Sequence, residues 1–339
     1  MPRKSRIDAP GALHHIIAKG IEGRRIFENN EDRGNFLARL ADILKETKTV
    51  CYAWALIPNH FHLLLRTGTF PISTGMRRLL TGHALWYNRR HGRGGHLFQN
   101  RYKSILCQED VYFLELVRYI HLNPLRAKLL PGLSRLDTYK YCGHSVLMGK
   151  VKNDWQDTDK VLRLFAKKTG SARRAYRVFV EKGIGQGKRS DLTGGGLVRS
   201  AGGWAGVLAL RGAKIFQNSD ERILGDGDFV DSVLTAANEA MERRYYLQSS
   251  GFNLGMVAAR VAKELGMRPE DVWAAGRYRH LVEARSLLCY WAVRELGVSM
   301  ASLARKLEIS VPAVSKSVIR GEEIARVRGY SLIENKLIS

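Results

Sequence analysis

The sequence lacks the features that place a chain in a membrane or an oxidising compartment. No apolar run is long enough to span a bilayer, and no early apolar segment resembles a signal peptide; the chain opens on the basic Met1-Pro2-Arg3-Lys4-Ser5-Arg6. Its four cysteines, Cys51, Cys107, Cys142 and Cys289, form no Cys-x-x-Cys pair. That argues against a zinc ribbon or a disulfide scaffold and fits a reducing cytoplasm. Acidic residues are scarce: 32 Asp and Glu stand against 55 Lys and Arg in 339 residues, a net charge of +23 and a pI near 10.1. Such an excess implies a polyanionic partner, nucleic acid before an acidic membrane surface.

The basic charge is unevenly spread. Residues 1–150 carry 24 Lys and Arg against 11 Asp and Glu, a net of +13, whereas residues 252–339 carry 14 against 9, a net of +5. The main phosphate contacts are therefore expected in the first segment. There, Leu13 to Ala18 reads as a strand, and Asn30 to Thr47 as a helix that Asn30 can cap, with Phe36, Leu37, Leu40, Ile43 and Leu44 at helical spacing. Val50 to Ile57 and His60 to Arg66 read as strands around a Pro58-Asn59 turn. Ile72 to Arg90 reads as a helix with a basic face, which puts forward Arg77, Arg78, Arg89 and Arg90, with Arg101 beyond it, as DNA contacts. Tyr102 to Cys107 is a fourth strand and Glu109 to about Asn123 a third helix. This β-α-β-β-α-β-α order predicts an α+β fold, a ferredoxin-like antiparallel sheet with helices on one face.

Three regions are expected: a first domain over 1–150, a connecting region over 151–251 and a C-terminal domain over 252–339. In the connection, Thr158 to Lys168, Ala172 to Lys182 and Asp228 to Arg243 look helical. The glycine-rich Gly183 to Gly206, with Gly194-Gly195-Gly196, lacks the Lys-Ser/Thr ending of a P-loop and reads as a linker. The last region is helical, punctuated by Gly266, Gly297 and Gly321. Ser299 to Leu307, the turn Glu308-Ile309-Ser310 and Val311 to Arg320 form a helix-turn-helix pattern, with Pro312 tolerable in the first turn of the second helix. Leu303, Leu307, Ile309, Val314 and Val318 can fill its core, leaving Pro312, Ala313, Ser315, Lys316 and Arg320 to face duplex DNA. The alternative is a plain helical bundle.

The chemistry concentrates in Pro58-Asn59-His60-Phe61-His62-Leu63-Leu64. Residues two apart on a strand share a face, so His60 and His62 project together and suit a divalent metal if a third ligand approaches from elsewhere. Tyr119 and Asn123, four apart near the end of the third helix, share a helix face. Laid across the histidine strand, that face offers the Asn123 amide oxygen to the metal and the Tyr119 phenol beside it. Tyr112 is a rival nucleophile, two helical turns earlier on nearly the same face. Pro124 disfavours helix at Asn123, so an end or bend is expected there.

These motifs, with Gly95-His96-Leu97-Phe98-Gln99-Asn100-Arg101-Tyr102 and Tyr119-Ile120-His121-Leu122-Asn123-Pro124-Leu125-Arg126-Ala127, resemble the REP-associated tyrosine transposases of the single-tyrosine, HUH-type superfamily over about residues 1–150. The resemblance implies a ferredoxin-like core, Mg2+ or Mn2+ held by His60, His62 and Asn123, and Tyr119 as nucleophile. It further implies recognition of DNA hairpins and cleavage of neighbouring single strands, leaving a 5′-phosphotyrosine and a free 3′-hydroxyl. Asp220 to Gly225 is similar to a segment of long members of this family. Residues 252–325, through Asp271-Val272-Trp273 and Arg277 to Arg285, resemble the DNA-binding domain of the replication initiator DnaA. The expectation is a bacterial cytoplasmic, nucleoid-associated enzyme, monomer or homodimer, that binds single-stranded and duplex DNA and no membrane. A non-catalytic DNA-binding regulator and a metal-dependent hydrolase acting through water are the alternatives.

Overall fold

Short apolar runs bounded by turn residues set out the sheet. The computed structural model describes residues 7–8, 11–68, 70–187, 189, 192, 220–226, 228–237, 247 and 250–333. Most of the expected glycine-rich linker, including Gly194-Gly195-Gly196, and the end of the helix expected to reach Arg243 lie outside them. The chain divides into two compact units, Met1–Ser232 and Val233–Ser339.

In the first unit the strands are β1 (Leu13–Lys19), β2 (Val50–Ile57), β3 (His60–Arg66), β4 (Lys103–Cys107) and a short β5 (Ile223–Leu224). Their order across the sheet is β2-β3-β1-β4-β5. β1 is central and antiparallel to both β3 and β4, and β3 is antiparallel to β2, which gives the expected ferredoxin-like core. β5 adds to it in parallel along β4, through Leu106 N–H to Arg222 O and Gln108 N–H to Leu224 O, both 2.8 Å.

Helices α1 (Asn30–Thr47), α2 (Ile72–Arg90) and α3 (Glu109–His121) form where expected. The cap of α1 is Asn29, not Asn30: its side chain accepts from Glu31 N at 3.0 Å and Asp32 N at 3.1 Å, and Asp32 accepts back from Asn29 N, a reciprocal capping box. α1 and α2 cover one face of the sheet, where Phe36, Leu40, Met76 and Leu79 pack on Ile16, Trp54, Phe61 and Leu63. α3 covers the opposite face, where Phe113, Leu116, Val117 and Ile120 pack on Leu13, Ala55, Leu64 and Ile105. Helices therefore lie on both faces rather than one, and β2 is accordingly buried from Cys51 to Ile57.

The chain bends at Leu122 into the short helix α4 (Asn123–Arg126), with Pro124 in its first turn, as proline requires. Short helices α5 (Leu133–Leu136), α6 (Gly143–Leu147) and α7 (Thr158–Arg163) lead to α8 (Thr169–Glu181). Val161, Leu162, Ala172, Tyr176 and Val180 join the core beneath α3. The segment read as a connection thus supplies part of the packing behind the third helix.

The second unit contains α9 (Leu254–Leu265), α10 (Arg279–Tyr290), α11 (Met300–Lys306) and α12 (Val311–Arg328). Ser299 and Ser310 cap α11 and α12, and Glu308 in the turn takes a positive φ of 53°. Leu303, Ala304, Val314 and Val318 form the core between the two helices. α12 extends beyond Arg320, so Gly321 does not end it. A Cβ there would lie 2.0 Å from Ser286 O of α10; the glycine serves close helix packing instead of punctuation.

Candidate active site

Strand register decides which side chains share a face. Ile17 lies opposite His62 and Lys19 opposite His60, so His15, Ile17 and Lys19 of β1 point to the same side as both histidines. This is the α3 side. The His60 and His62 rings stand 5.1 Å apart between centroids. His60 Nδ1 lies 2.7 Å from Asn59 Oδ1, and His62 Nδ1 lies 3.0 Å from Nε2 of the buried His15. Burial, assisted by the charge of Lys19, pushes the His60 pKa down to about 4. Burial does the same to His62, which lies well below the usual range, with His15, His60, Lys19 and Arg126 adding to the effect. Both imidazoles are therefore neutral near pH 7, the form that ligates a metal.

The Tyr119 ring meets two of these histidines edge-on, His62 at 5.9 Å and 83° and His15 at 6.0 Å and 76°. The rings around His62 are those of His15, His60 and Tyr119. Burial raises the pKa of the Tyr119 phenol, and the Arg126 charge partly opposes it. The Arg126 guanidinium lies 4.9 Å from the Tyr119 ring centroid, and its Nη1 donates to Tyr119 O at 3.1 Å. Asn123 Nδ2 donates to Tyr119 O at 2.9 Å and to Ile120 O at 3.2 Å. Its bonded nitrogen leaves the amide oxygen as the atom available to a cation. Among the described residues no three His, Cys, Asp or Glu side chains gather as a metal cluster. Neutral imidazole and amide oxygen are both donor types that a divalent ion accepts.

The Tyr119 helix is also fixed from behind. Tyr176 of α8, fully buried, places its hydroxyl 2.7 Å from His121 Nδ1 and 2.9 Å from His144 Nδ1. His144 Nε2–H donates to Asp137 at 2.9 Å, and Asp137 also accepts from Arg177 Nε at 2.9 Å. With His144 Nε2 protonated, its Nδ1 receives the Tyr176 O–H, and the hydroxyl oxygen accepts from His121 Nδ1–H. His121 lies between Tyr119 and Asn123 in sequence, so this buried chain ties the nucleophile candidate's helix to α8.

Sequence reasoning missed His15 and Arg126. For His15 the available signal was a histidine at the same alternation as Leu13 in a buried strand; for Arg126 it was the position seven residues after Tyr119, two helical turns on. Of the expected DNA contacts, Arg77 and Arg101 line one cavity of about 410 Å3 with Ser73, Thr81 and Tyr102. Arg78 pairs with Glu46 at 2.6 Å, and Arg90 pairs with Glu31 and reaches Asp32 at 3.7 Å. Arg89 is exposed. No acidic residue occurs between Glu46 and Glu109, so β2, β3, β4 and α2 carry no negative charge of their own. In the second unit Lys316 and Arg320 line a cavity of about 800 Å3 with Trp273, Arg277, Arg285 and Lys306.

Residues 11–123 match the family model "Transposase IS200 like". Over this segment the chain is similar to the IS200-like transposases. The match takes in about a third of the chain and includes His60, His62, Tyr119 and Asn123. No curated protein matches the chain. Among solved structures, that of a REP-associated tyrosine transposase bound to a REP hairpin is similar at a TM-score of 0.37 and 12% identity, over 47% of this chain and 96% of that one. Arg126, α5 to α8 and β5 all lie beyond the matched residues 11–123, yet pack on the elements within them. Among the described residues, no helix is long and apolar enough to cross a membrane.

Proposed function

We propose that the protein cleaves and rejoins single-stranded DNA beside hairpins, with Tyr119 as nucleophile. The observation that carries this reading is the Tyr119 ring packed against His62, beside His60, within one chain. Tyr119 Oη attacks a backbone phosphorus, a P–O bond to the 3′ oxygen of the upstream nucleotide breaks, and the products are a 5′-phosphotyrosine and a free 3′-hydroxyl. His60, His62 and Asn123 would hold one Mg2+ or Mn2+, which supplies charge stabilisation to the scissile phosphate when bound. Arg126 favours the phenolate over the phenol and offers a second positive charge to the phosphate.

Incubation with hairpin-bearing single-stranded DNA and Mn2+ is expected to give a protein–DNA adduct stable to denaturation. Binding without cleavage would instead identify a DNA-binding regulator, and cleavage without adduct a hydrolase acting through water.

For the second unit, duplex DNA contact by α12 is the reading favoured by Lys316 and Arg320 on the wall of a basic cavity and by the DnaA resemblance. Replacing Lys316 and Arg320 together by Ala is expected to weaken duplex binding and to flatten the slope of log affinity against log salt by about 2. Cleavage of a short single-stranded substrate should be unchanged. An unaltered salt slope would leave α11 and α12 as a plain bundle.

A further inference from the structure

The structure places a second-layer partner on each metal-ligand candidate, and the two are unlike. His60 Nδ1 is held by Asn59, its neighbour in the β2–β3 turn, whereas His62 Nδ1 is held by His15 from another strand. His15 is wholly buried on β1, which is bonded on both sides, to β3 and to β4. It stacks on His62 at 5.2 Å and 24°, and its edge contact with Tyr119 puts it against both the ligand candidate and the nucleophile candidate. A histidine on a buried sheet face costs desolvation that an apolar residue there would avoid.

We infer that His15 is a positioning residue: it accepts a hydrogen bond from His62 Nδ1–H and thereby keeps the His62 Nε2 lone pair directed to a divalent cation. The inference rests on the reading of His60 and His62 as metal ligands. The direction of the bond follows from imidazole chemistry. A neutral imidazole carries one N–H, so if His62 Nδ1 accepted from His15, His62 Nε2 would bear the proton and could not ligate. With Nδ1–H donating, the ring's tautomer and plane are fixed and the basicity of Nε2 rises. The central strand makes His15 a rigid support, as neighbouring groups that orient ligands need to be.

Mn2+ titration by calorimetry, with the Mn2+ electron spin resonance signal as a second readout, tests this on the full-length protein. His15→Phe keeps a ring of similar size without an acceptor, and is expected to weaken Mn2+ binding by about 10–100-fold. His15→Gln puts an amide oxygen near the position of the imidazole Nε2 and should recover most of that loss. A packing role alone would shift thermal unfolding in both variants without separating them in Mn2+ affinity. Wild-type affinity in His15→Phe overturns the inference. Should His15→Phe fail to fold, a two-bond proton–nitrogen spectrum of the wild-type protein decides: His62 protonated at Nδ1 supports it, and His62 protonated at Nε2 overturns it. Adduct formation by the wild type in chelator, with no Mn2+ bound, would sink the metal reading itself, an outcome distinct from a metal site indifferent to residue 15.

Discussion

Tyr119→Phe is expected to abolish the covalent protein–DNA adduct and to lower strand cleavage by more than about 10³-fold, because the substitution removes only the attacking oxygen. The ring remains, so its edge contacts with His62 and His15 and its stacking under Arg126 should survive, and thermal unfolding should move little. Tyr112→Phe serves as the contrast. Both tyrosines are half-buried against the same core cluster, but the histidine rings meet Tyr119. Tyr112→Phe should therefore form adduct at near wild-type levels. Mass spectrometry of a nuclease-trimmed adduct locates the phosphate directly; finding it on Tyr112 would transfer the nucleophile's role while leaving the class of reaction standing.

His60→Ala should have an effect of comparable size by a different route. If His60 and His62 together hold the cation, losing one imidazole removes several kcal/mol of charge stabilisation at the phosphate, roughly 10³-fold in rate. His60 lies at the end of β3 beside the Pro58-Asn59 turn and is only partly buried, so the fold should tolerate the change. Hairpin affinity should stay within about threefold of wild type, since phosphate contacts supply most of it. Chelator treatment of the wild type should reproduce the same profile: binding retained, cleavage lost. Unchanged cleavage in His60→Ala would remove the metal from this reading. A parallel loss of hairpin binding would mean that His60 holds DNA instead.

The strands and first three helices were legible because their signals are local. The short apolar run in His60–Arg66, the glycine and proline breaks around it, and helical spacing in α1 each need only a window of a few residues. The approach of Tyr119 to the histidines was legible as a condition, since same-face spacing says what a helix can present and not where it docks. What escaped was non-local. The ring of His15 matters through a residue 47 positions away, and Tyr176 through His121 at a separation of 55. β2 did carry a sign of cover on both faces: Val-Cys-Tyr-Ala-Trp-Ala-Leu-Ile scarcely alternates. Gly321 misled for a related reason, because a glycine that admits a neighbouring backbone looks in sequence like one that ends a helix.

The short strand β5 also bears on how the chain is made. β4 ends at Cys107 and its outer partner begins at Ile223, so more than a hundred residues must follow before the edge can be closed. At ordinary rates of synthesis, on the order of 5–20 residues per second, that is an interval of several seconds or more on the ribosome. During it Leu106 and Cys107 offer unpaired backbone groups beside apolar side chains, the kind of edge on which nascent chains stick to one another. The exposed Lys103 at the start of β4 puts a charge on that edge from the moment it emerges. A basic chain that repels its own copies guards the same interval, which gives the large positive charge a use apart from binding a substrate.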